Sequence, residues 1–229
     1  MPADLPVLIQ QISVLALPAI FAITFHEAAH GFVAYQLGDD TAWQAGRVTF
    51  NPLRHIDPVG TILIPLVLFF TSGFLFGYAK PVPVNFSRLH HPRRDMVLVA
   101  LAGPGTNVLL AILSALLFYL LPFVPAVGQA WARATLLTSI DFNILLAVFN
   151  MIPLPPLDGG RVAVGALPDA LAFPLARLER YGLLILIGLL IVLPMVGEAV
   201  GMNFNAFAYV IGIPAAYTKY FVLWLTGFA

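Results

Sequence analysis

Charged residues are so unevenly distributed along this chain that six long stretches contain none at all. A helix that crosses a lipid bilayer needs about 20 predominantly apolar residues, and at least five of the six stretches reach that length alone or with flanking residues. We therefore expect an all-α polytopic membrane protein with five to six transmembrane helices. The uncharged stretches are residues 5–26, 58–79, 96–132, 142–157, 181–197 and 199–218.

The composition excludes several other classes of protein. Only 10% of the 229 residues are charged, whereas an ordinary soluble domain has about 25%. The 11 basic and 11 acidic residues give a net charge of zero, so no basic surface suggests a nucleic acid as partner. The chain contains no cysteine, which excludes disulfides, thiolate metal sites and a cysteine nucleophile. With neither a linker nor an internal repeat, residues 1–229 are expected to form a single integral-membrane domain.

The hydrophobic pattern, together with proline and glycine, sets the expected bounds of the regular structure. The first helix is expected at about residues 8–37 and is ended by Gly38. Residues 41–58 alternate β-branched or aromatic residues with polar ones, which predicts a short β-hairpin at the membrane surface. Further helices are expected at residues 94–121, 134–152, 181–196 and 205–225.

Residues 59–79 are apolar but interrupted by proline and glycine, and the loop charges indicate whether they cross the membrane. Lys and Arg accumulate in cytoplasmic loops. If the segment crosses, seven loop Lys and Arg residues lie on one side and three on the other. If it enters and returns on the same side, the split becomes nine to one. We therefore favour a re-entrant segment, with the basic side cytoplasmic and the N-terminus outside.

The first predicted helix carries the polar sequence His26-Glu27-Ala28-Ala29-His30 within an otherwise apolar stretch. Two histidines four positions apart lie about 40° apart on one face of a helix, so both imidazoles can reach one zinc ion. Glu27 lies beside them, where its carboxylate can take a proton from a water molecule at the metal. The alternative is a hydrogen-bonded polar cluster inside a bundle, but ionisable residues at membrane depth are costly and indicate a functional site.

A catalytic zinc ion takes three protein ligands, so a third ligand must come from elsewhere in the chain. Asp158 is a strong candidate because it ends an uncharged stretch and follows prolines that must break the helix. Gly159 and Gly160 then allow the backbone to approach a metal closely. The other candidates by residue type are Asp57, Asp141, His55, His90 and His91.

Two long motifs in this chain resemble those of the site-2 protease family of intramembrane zinc metalloproteases. That family carries HExxH on one transmembrane helix and NxxPxPxLDG on a later one, and the chain matches the second motif from Asn150 to Gly159. Residues 103–107, with the sequence GPGTN, are similar to a motif on the helix between them. The resemblance covers about residues 15–165 and implies a compact form of the family, without PDZ-like or nucleotide-sensing domains.

The resemblance implies one Zn²⁺ ion per chain, held by His26, His30 and Asp158. It also implies that Glu27 is the general base. Asn150 would then stabilise the oxyanion of the reaction, since an amide donor directed at developing charge lowers the barrier. The alternative for Asn150 is a helix-capping or interhelical hydrogen bond.

The sequence KPVPVN at residues 80–85 cannot form a helix, because one residue separates its two prolines. A protease must bind its substrate unwound, and an edge strand near the metal could pair with the peptide by strand addition. The resemblance supports this role, whereas a plain surface loop is the alternative. Residues 45–50 could add strands to the same small membrane-associated β-sheet. The predicted substrate-binding residues are Lys80, Pro81, Val82, Pro83, Val84 and Asn107. For Asn107, the alternative is a bond to neighbouring backbone within a helix-packing face.

Together these features predict an intramembrane zinc metalloendopeptidase that cleaves transmembrane segments of membrane-anchored protein substrates. It is expected to be a multi-pass protein of the cell membrane, with its active site towards the cytoplasmic side. The catalytic core is expected at about residues 8–170, followed by C-terminal helices at about residues 178–226. The resemblance implies substrates that are regulators trimmed first by another protease. Substrate access would then be controlled by the helices, by a partner protein or by prior cleavage. The expected partners include a regulatory membrane protein or a second copy of the chain in a homo-oligomer.

The main alternative is a metal-ion or proton transporter that uses the same His, Glu and Asp cluster. A transporter predicts inverted repeats, and the sequence has none. An inactive relative that binds membrane helices would be expected to have lost Glu27 or a metal ligand. A hydrolase of lipids or other small amphiphiles would share the same metal chemistry.

Overall fold

The computed structural model describes residues 5–63, 80–193, 196–197 and 207–229, and the structural statements below concern these residues. The α-helices are α1 (Leu5–Gln36), α2 (Thr41–Gln44), α3 (Pro92–Leu117), α4 (Ala126–Asn150), α5 (Asp158–Ala166), α6 (Asp169–Arg177), α7 (Gly182–Ile187) and α8 (Ile213–Leu225). Short 3₁₀ turns occur at Pro52–Arg54, Phe86–Arg88, Phe118–Phe123 and Leu178–Tyr181. Short π-helical segments occur at Pro58–Leu63, Gly188–Val192 and Ala208–Gly212.

Four helical segments are long and apolar enough to cross a membrane, in agreement with a helical membrane protein. The re-entrant segment expected at residues 59–79 is described only as far as residue 63. The helix expected at residues 181–196 also includes positions outside the described ranges. The candidate spans are Ile9–Gln36, Pro92–Phe123, Ala126–Asn150 and Ala208–Leu225.

Helices α1 and α3 lie side by side in opposite directions. The Nδ1 atom of His30 lies 2.7 Å from the carbonyl oxygen of Val99. About two turns earlier on α1 and two turns later on α3, the side-chain amide of Asn107 donates a hydrogen bond to the carbonyl of Ala22. These contacts place the middle of α1 against the middle of α3, within the apolar part of the bundle.

Helix α4 runs parallel to α1, and α8 closes the bundle. The indole N–H of Trp131, near the start of α4, donates to Ser13 Oγ at 2.9 Å. The hydroxyl of Tyr119 donates to the carbonyl of Thr226 at 2.8 Å, so α8 ends beside the end of α3. Small residues at the interface allow this close packing. The buried cluster between α3, α4 and α8 consists of Ala111, Ala115, Ile140, Ile144 and Val222.

The nine-residue helix α5 packs along the first turns of α3. A Cβ atom on Gly165, near the end of α5, would lie 2.4 Å from the side chain of Val97 and 2.9 Å from the carbonyl of Arg93. Arg93 also donates to the carbonyl of Gly165 at 3.1 Å and forms an ion pair with Asp169 at 2.6 Å. Since the end of α5 is fixed at the start of α3, Asp158 at the other end of α5 lies deeper along the bundle.

The prediction of a small β-sheet is wrong, because the described part of the chain contains no β-strand. Residues 41–58, predicted as a hairpin, form α2 at Thr41–Gln44 and a 3₁₀ turn at Pro52–Arg54. Residues 45–50 therefore add no strand. Residues 80–85 are neither helix nor strand, and their two prolines lack the N–H groups that a sheet ladder needs.

Side-chain hydrogen bonds take the place of strand pairing in this region. The buried Asp39 accepts hydrogen bonds from the backbone and hydroxyl of Thr41, which begins α2, and from the backbone N–H of Asn85 at 2.6 Å. Arg47 donates to the carbonyl of Lys80 at 2.6 Å. These bonds satisfy backbone groups that the alternating pattern alone assigned to a ladder.

The predicted end of the first helix is confirmed. Helix α1 ends at Gln36, and Gly38 has a φ of +105°, a conformation that favours glycine. A Cβ atom on Gly38 would also lie 2.8 Å from the ring of His90. Glycine is therefore required here both by the backbone conformation and by the lack of space.

Asp141, for which the sequence indicates no partner, is paired across the bundle. Its Oδ1 atom lies 2.5 Å from Nζ of Lys219, so the ion pair joins α4 to α8. Both residues lie within candidate spans. Pairing reduces the cost of placing each charge at membrane depth.

Candidate metal centre

Three of the side chains predicted as metal ligands converge between α1 and the start of α5. His26 and His30 lie one turn apart on α1, and their Nε2 atoms are 3.1 Å apart. The Oδ2 atom of Asp158 lies 3.3 Å from Nε2 of His26 and 3.4 Å from Nε2 of His30. All three residues are buried, and together they form a group that could hold a metal ion.

The local sequence explains how Asp158 reaches the two histidines. Prolines end α4 and turn the chain back, and α5 begins at Asp158. A Cβ atom on Gly159 would lie 2.2 Å from the carbonyl oxygen of Met151, and one on Gly160 would lie 2.1 Å from the backbone nitrogen of Pro155. Any larger residue at these glycines would force the packed backbone of residues 151–160, which positions Asp158, to shift.

Gly103 on α3 provides the space beside the two imidazoles. A Cβ atom at this position would lie 2.4 Å from Nε2 of His30 and 2.7 Å from Nε2 of His26. Both distances are far below van der Waals contact. The motif at residues 103–107 includes this glycine, but only the packing of α3 against α1 shows that it faces the candidate ligands.

The second nitrogen of each imidazole is bound to α3. His26 Nδ1 lies 2.6 Å from Oδ1 of Asn107, and His30 Nδ1 lies 2.7 Å from the carbonyl oxygen of Val99. Oxygen partners of this kind are typical of metal-binding histidines, because they orient the ring and direct Nε2 at the ion.

The electrostatics of Asp158 also fit a metal ion. Its Oδ2 atom is buried and has no hydrogen-bond partner of good geometry. Burial acts to raise the pKa of Asp158, which lies outside the candidate spans, but its interactions with His26 and His30 outweigh burial and hold this pKa below its usual value. Three electron-pair donors this close repel one another unless a proton or a cation lies between them. Two imidazoles and an ionised carboxylate are a donor set that suits zinc.

Glu27, the predicted general base, contacts the irregular segment at residues 80–85. Its Oε2 atom accepts a hydrogen bond from the backbone N–H of Val82 at 2.8 Å. Val82 is buried, and its side chain lies against Gly31 on the same helix as Glu27. The predicted substrate-binding segment therefore lies directly beside the predicted base.

Arg47 and His55 hold this segment in place, a role that the sequence analysis did not assign to either residue. The buried Arg47 donates to the carbonyl of Lys80 at 2.6 Å. The backbone N–H of Lys80 donates to the carbonyl of His55 at 2.9 Å, and Nε2 of His55 lies 3.0 Å from the carbonyl of Thr49. The sequence contained one indication of this role for Arg47. Basic residues are scarce in this apolar chain, and an arginine that becomes buried needs oxygen partners.

Two other predicted site residues, Asn150 and Asn107, are not candidate ligands of the three-residue group, although Asn107 contacts His26. The side-chain amide of Asn150 donates to the carbonyl of Leu146 in its own helix at 3.0 Å, so its role at the oxyanion stays a prediction. Asn107 is fully buried and bonds to protein groups on three sides. Among the described residues, the group does not extend to the other candidate ligands, which are His55, His90, His91, Asp57 and Asp141.

Comparison with known proteins decides the family. The chain is 39% identical over 185 residues to "Putative zinc metalloprotease YwhC" of Bacillus subtilis, and the match covers 77% of this chain and 80% of YwhC. The chain belongs to the site-2 protease family. The predicted classification as a zinc metalloprotease and the predicted zinc cofactor are thereby confirmed.

Two further relatives of this site-2 protease carry the same designation as YwhC. Rip2 of Mycolicibacterium smegmatis is 30% identical over 174 residues, which are 75% of this chain and 64% of Rip2. MJ0611 of Methanocaldococcus jannaschii is 31% identical over 158 residues, which are 68% of this chain and 71% of MJ0611. No family model and no solved structure matches the chain significantly.

Proposed function

We propose that this site-2 protease hydrolyses peptide bonds inside the transmembrane segments of membrane-anchored protein substrates. The depth of the buried group is the observation that carries the proposal. His26 lies ten residues before the end of α1 at Gln36, which corresponds to about 15 Å of helix. The hydrocarbon core of a bilayer is about 30 Å thick, so the group would lie inside the bilayer, in the half of the candidate span Ile9–Gln36 nearer Gln36.

His26, His30 and Asp158 would hold one zinc ion through two Nε2 atoms and one Oδ2 atom. When bound, zinc supplies Lewis acidity that polarises a carbonyl group and makes a water molecule more acidic. The protein contributes a fixed arrangement of ligands, because the histidine rings are bound to α3 and the start of α5 is held by close packing at its glycines.

Glu27 would take a proton from the attacking water and later give it to the leaving amine. The hydrogen bond from the Val82 N–H to Oε2 supports this role, because it holds the carboxylate in one orientation next to His26. Positioning a reacting group in advance removes entropy from the barrier. Asn150 would donate to the oxyanion after its amide turns away from the carbonyl of Leu146.

The segment formed by Lys80, Pro81, Val82, Pro83 and Val84 would bind the unwound substrate. The N–H groups of Lys80 and Val82 are used within the protein, and the prolines have none. The carbonyls of Lys80 and Pro81 accept from Arg47, so a substrate would pair mainly with the backbone carbonyls of Val82, Pro83 and Val84. The substrate would supply its own N–H groups, which become available once its helix unwinds.

The site would face the cytoplasmic side of the membrane, where the loops carry most of the Lys and Arg residues. Because the chain has no cysteine, this topology can be tested with single substitutions labelled by an impermeant thiol reagent. Ser87 and Gln129 are exposed and lie at opposite ends of the bundle. We expect Gln129→Cys to be labelled in intact cells and Ser87→Cys only after permeabilisation; the reverse pattern would invert the topology.

Cleavage can be tested with the purified protein in proteoliposomes and a panel of single-span reporter proteins. Mass spectrometry of the products would locate the cleaved bond, and Glu27→Gln is the matched control. We expect cleavage within the apolar segment by the wild type and a loss of about 10²- to 10⁴-fold in Glu27→Gln. Cleavage confined to residues outside the membrane would argue against intramembrane proteolysis. Zinc or proton flux without any cleavage would favour the transporter.

The proposal extends to the residue ranges and partners. Residues 8–170 would form the catalytic core, and residues 178–226 would supply further helices. The substrates would be regulators that another protease trims first, and a membrane partner or a second copy of the chain would control their entry. Co-purification of an uncleaved reporter with Glu27→Gln would show that protein substrates, rather than lipids, occupy the site.

A further inference from the structure

A chain of buried polar side chains extends from the metal centre through α3 to α4. Nδ1 of His26 lies 2.6 Å from Oδ1 of Asn107. The amide nitrogen of Asn107 donates to the carbonyl of Ala22 at 3.2 Å and to Oδ1 of Asn143 at 2.9 Å. Asn143 in turn donates to the carbonyl of Ser139 at 2.9 Å. Asn107 and Asn143 are 0% and 1% exposed and lie within candidate spans, where an unpaired amide is costly.

The partners of Asn107 determine which end of its amide faces His26. The carbonyl of Ala22 can only accept a hydrogen bond, so the NH₂ group of Asn107 must point towards it. The oxygen of Asn107 then faces His26, and an oxygen acceptor at Nδ1 requires the imidazole proton to be on that nitrogen. Nε2 of the neutral ring is left with its lone pair directed at Asp158. The other tautomer has a proton on Nε2 and cannot bind a metal there.

We propose that Asn107, held in its orientation by Asn143, is a positioning residue that selects the tautomer and ring orientation of His26 for zinc binding. This inference rests on the zinc site proposed above. Asn143 would act through Asn107, because its side-chain oxygen fixes the NH₂ end of that amide. His30 receives the same kind of support from the backbone of Val99, so His26 is the ligand whose orientation depends on side chains.

Zinc affinity of the purified full-length protein is the direct measure of this role, determined by competition with a chromophoric chelator. Zinc itself has no useful absorption, so the spectrum of the Co²⁺-substituted protein would report the ligand geometry. We expect Asn107→Ala to weaken zinc binding about 10- to 100-fold, the usual range for a lost partner of a metal-binding histidine, and to alter the Co²⁺ spectrum.

Two further variants separate positioning from packing. Asn107→Asp keeps an oxygen acceptor towards His26 but loses the donors to Ala22 and Asn143, so it is expected to weaken zinc binding less than Asn107→Ala does. Asn143→Leu removes the acceptor that orients Asn107 and is expected to weaken zinc binding several-fold. The melting temperatures of the metal-free proteins would show whether each variant folds.

Ser114→Ala is the matched control from the far end of the same polar chain. Its hydroxyl lies 2.7 Å from Oγ of Ser139 and contacts neither Asn107 nor His26. We expect this variant to lose some thermal stability but to bind zinc as the wild type does. An equal loss of zinc affinity in Ser114→Ala would indicate a general packing effect and overturn the positioning role.

The remaining outcomes distinguish this inference from the zinc site itself. Wild-type zinc affinity and an unchanged Co²⁺ spectrum in Asn107→Ala would overturn the positioning role, while the three-ligand site would stand. If Asn107→Ala does not fold, unchanged affinity in Asn143→Leu would overturn it equally. Two outcomes would overturn the proposed site and this inference with it. One is a wild-type protein that binds no zinc, and the other is an Asp158→Ala variant that retains its zinc.

Discussion

At the candidate site, helix α1 contacts two regions of different structure, helix α3 on one side and residues 80–85 on the other. On one side, His26 and His30 lie on a regular helix, and the Nδ1 atom of each ring contacts an oxygen atom of α3. On the other side, Glu27 contacts residues 80–85, which have no regular structure. That segment is held by individual bonds, such as the one from Arg47.

This difference indicates that the two regions have different roles within one site, metal binding and substrate binding. Ligands for a metal need a fixed geometry, and packed helices with second hydrogen bonds supply it. A segment held by a few separate bonds opens at a lower free-energy cost than a packed helix, so it can adjust to a substrate. We therefore expect substitutions of the α3 residues next to His26 and His30 to alter zinc binding. Substitutions in residues 80–85 should alter turnover while zinc stays bound.

The largest effect is expected from Asp158→Ala, which removes the proposed ligand that comes from α5. Zinc content should fall from about one ion per chain in the wild type to near zero, because two histidines alone do not complete a catalytic site. Activity should be lost with it. Treating the wild type with a chelator should also abolish activity, and adding zinc back should restore it. Full zinc content in Asp158→Ala would remove α5 from the metal centre.

A loss of about 10²- to 10³-fold in kcat is expected for Asn150→Ala, the usual cost of removing one donor to an oxyanion. Zinc content should not change, because Asn150 bonds to Leu146 rather than to the ligand group. Measuring kcat and zinc content on the same preparation would separate the two effects. An unchanged kcat would leave Asn150 with the helix-capping role alone.

Gly103→Ala is expected to weaken zinc binding by about 10- to 100-fold, comparable to the loss of a histidine partner. The new methyl group would lie 2.4 Å from Nε2 of His30, and the ring cannot move away without losing its bond to Val99. Gly105→Ala is the matched control on the same helix, because a Cβ atom there would have no neighbour within 4 Å. Equal zinc affinity in the two variants would show that α3 does not limit the space around the ion.

The sequence was sufficient to predict the part of the site that depends on spacing within one element. His26 and His30 follow from helical periodicity. The helix-breaking residues before Asp158 made it one of several candidates for the third ligand, and the family resemblance selected it. The end of α1 at Gly38 was equally accessible, because only glycine adopts its backbone conformation readily. Contacts between elements were not accessible in this way. Nothing in the spacing of Asn143 or Gly103 indicates that they lie beside Asn107 and the histidines.

The wrong prediction of a β-hairpin has a related cause. The alternating pattern in residues 41–58 is typical of a strand, but a strand forms only if its backbone groups have a ladder partner. Here Asp39 and Arg47 supply side-chain partners, and α2 forms instead. The hydrogen bonds of Asp39 and Arg47 to residues 80–85 therefore determine the structure here, and the local alternating pattern does not.

In that segment, Val82→Pro is expected to lower kcat by about tenfold with full zinc content, since a single hydrogen bond to a charged group contributes about 1.5–3 kcal/mol. Proline removes the N–H that donates to Oε2 of Glu27. Val82→Ala is the matched control, because it shortens the side chain but keeps the N–H. If Val82→Pro loses zinc, the two sides of α1 are not independent. If both variants lose kcat equally, packing of Val82 rather than its N–H matters.

The smallest effect is expected from the ion pair between Asp141 and Lys219, which lies outside both sides of the site. Asp141→Asn leaves the ammonium group of Lys219 without its carboxylate partner at 2.5 Å. Both side chains are partly exposed, so we expect a loss on the order of 1 kcal/mol, which lowers the melting temperature by about 2–4 °C in a chain of this size. The double variant Asp141→Asn/Lys219→Met should regain much of that stability, because no unpaired charge remains in the span. Zinc affinity and kcat should match the wild type in both variants. A change in zinc affinity would mean that the α4–α8 contact is coupled to the metal centre through α4. The rigid region that supports the proposed ligands would then extend beyond α1 and α3 to the whole bundle.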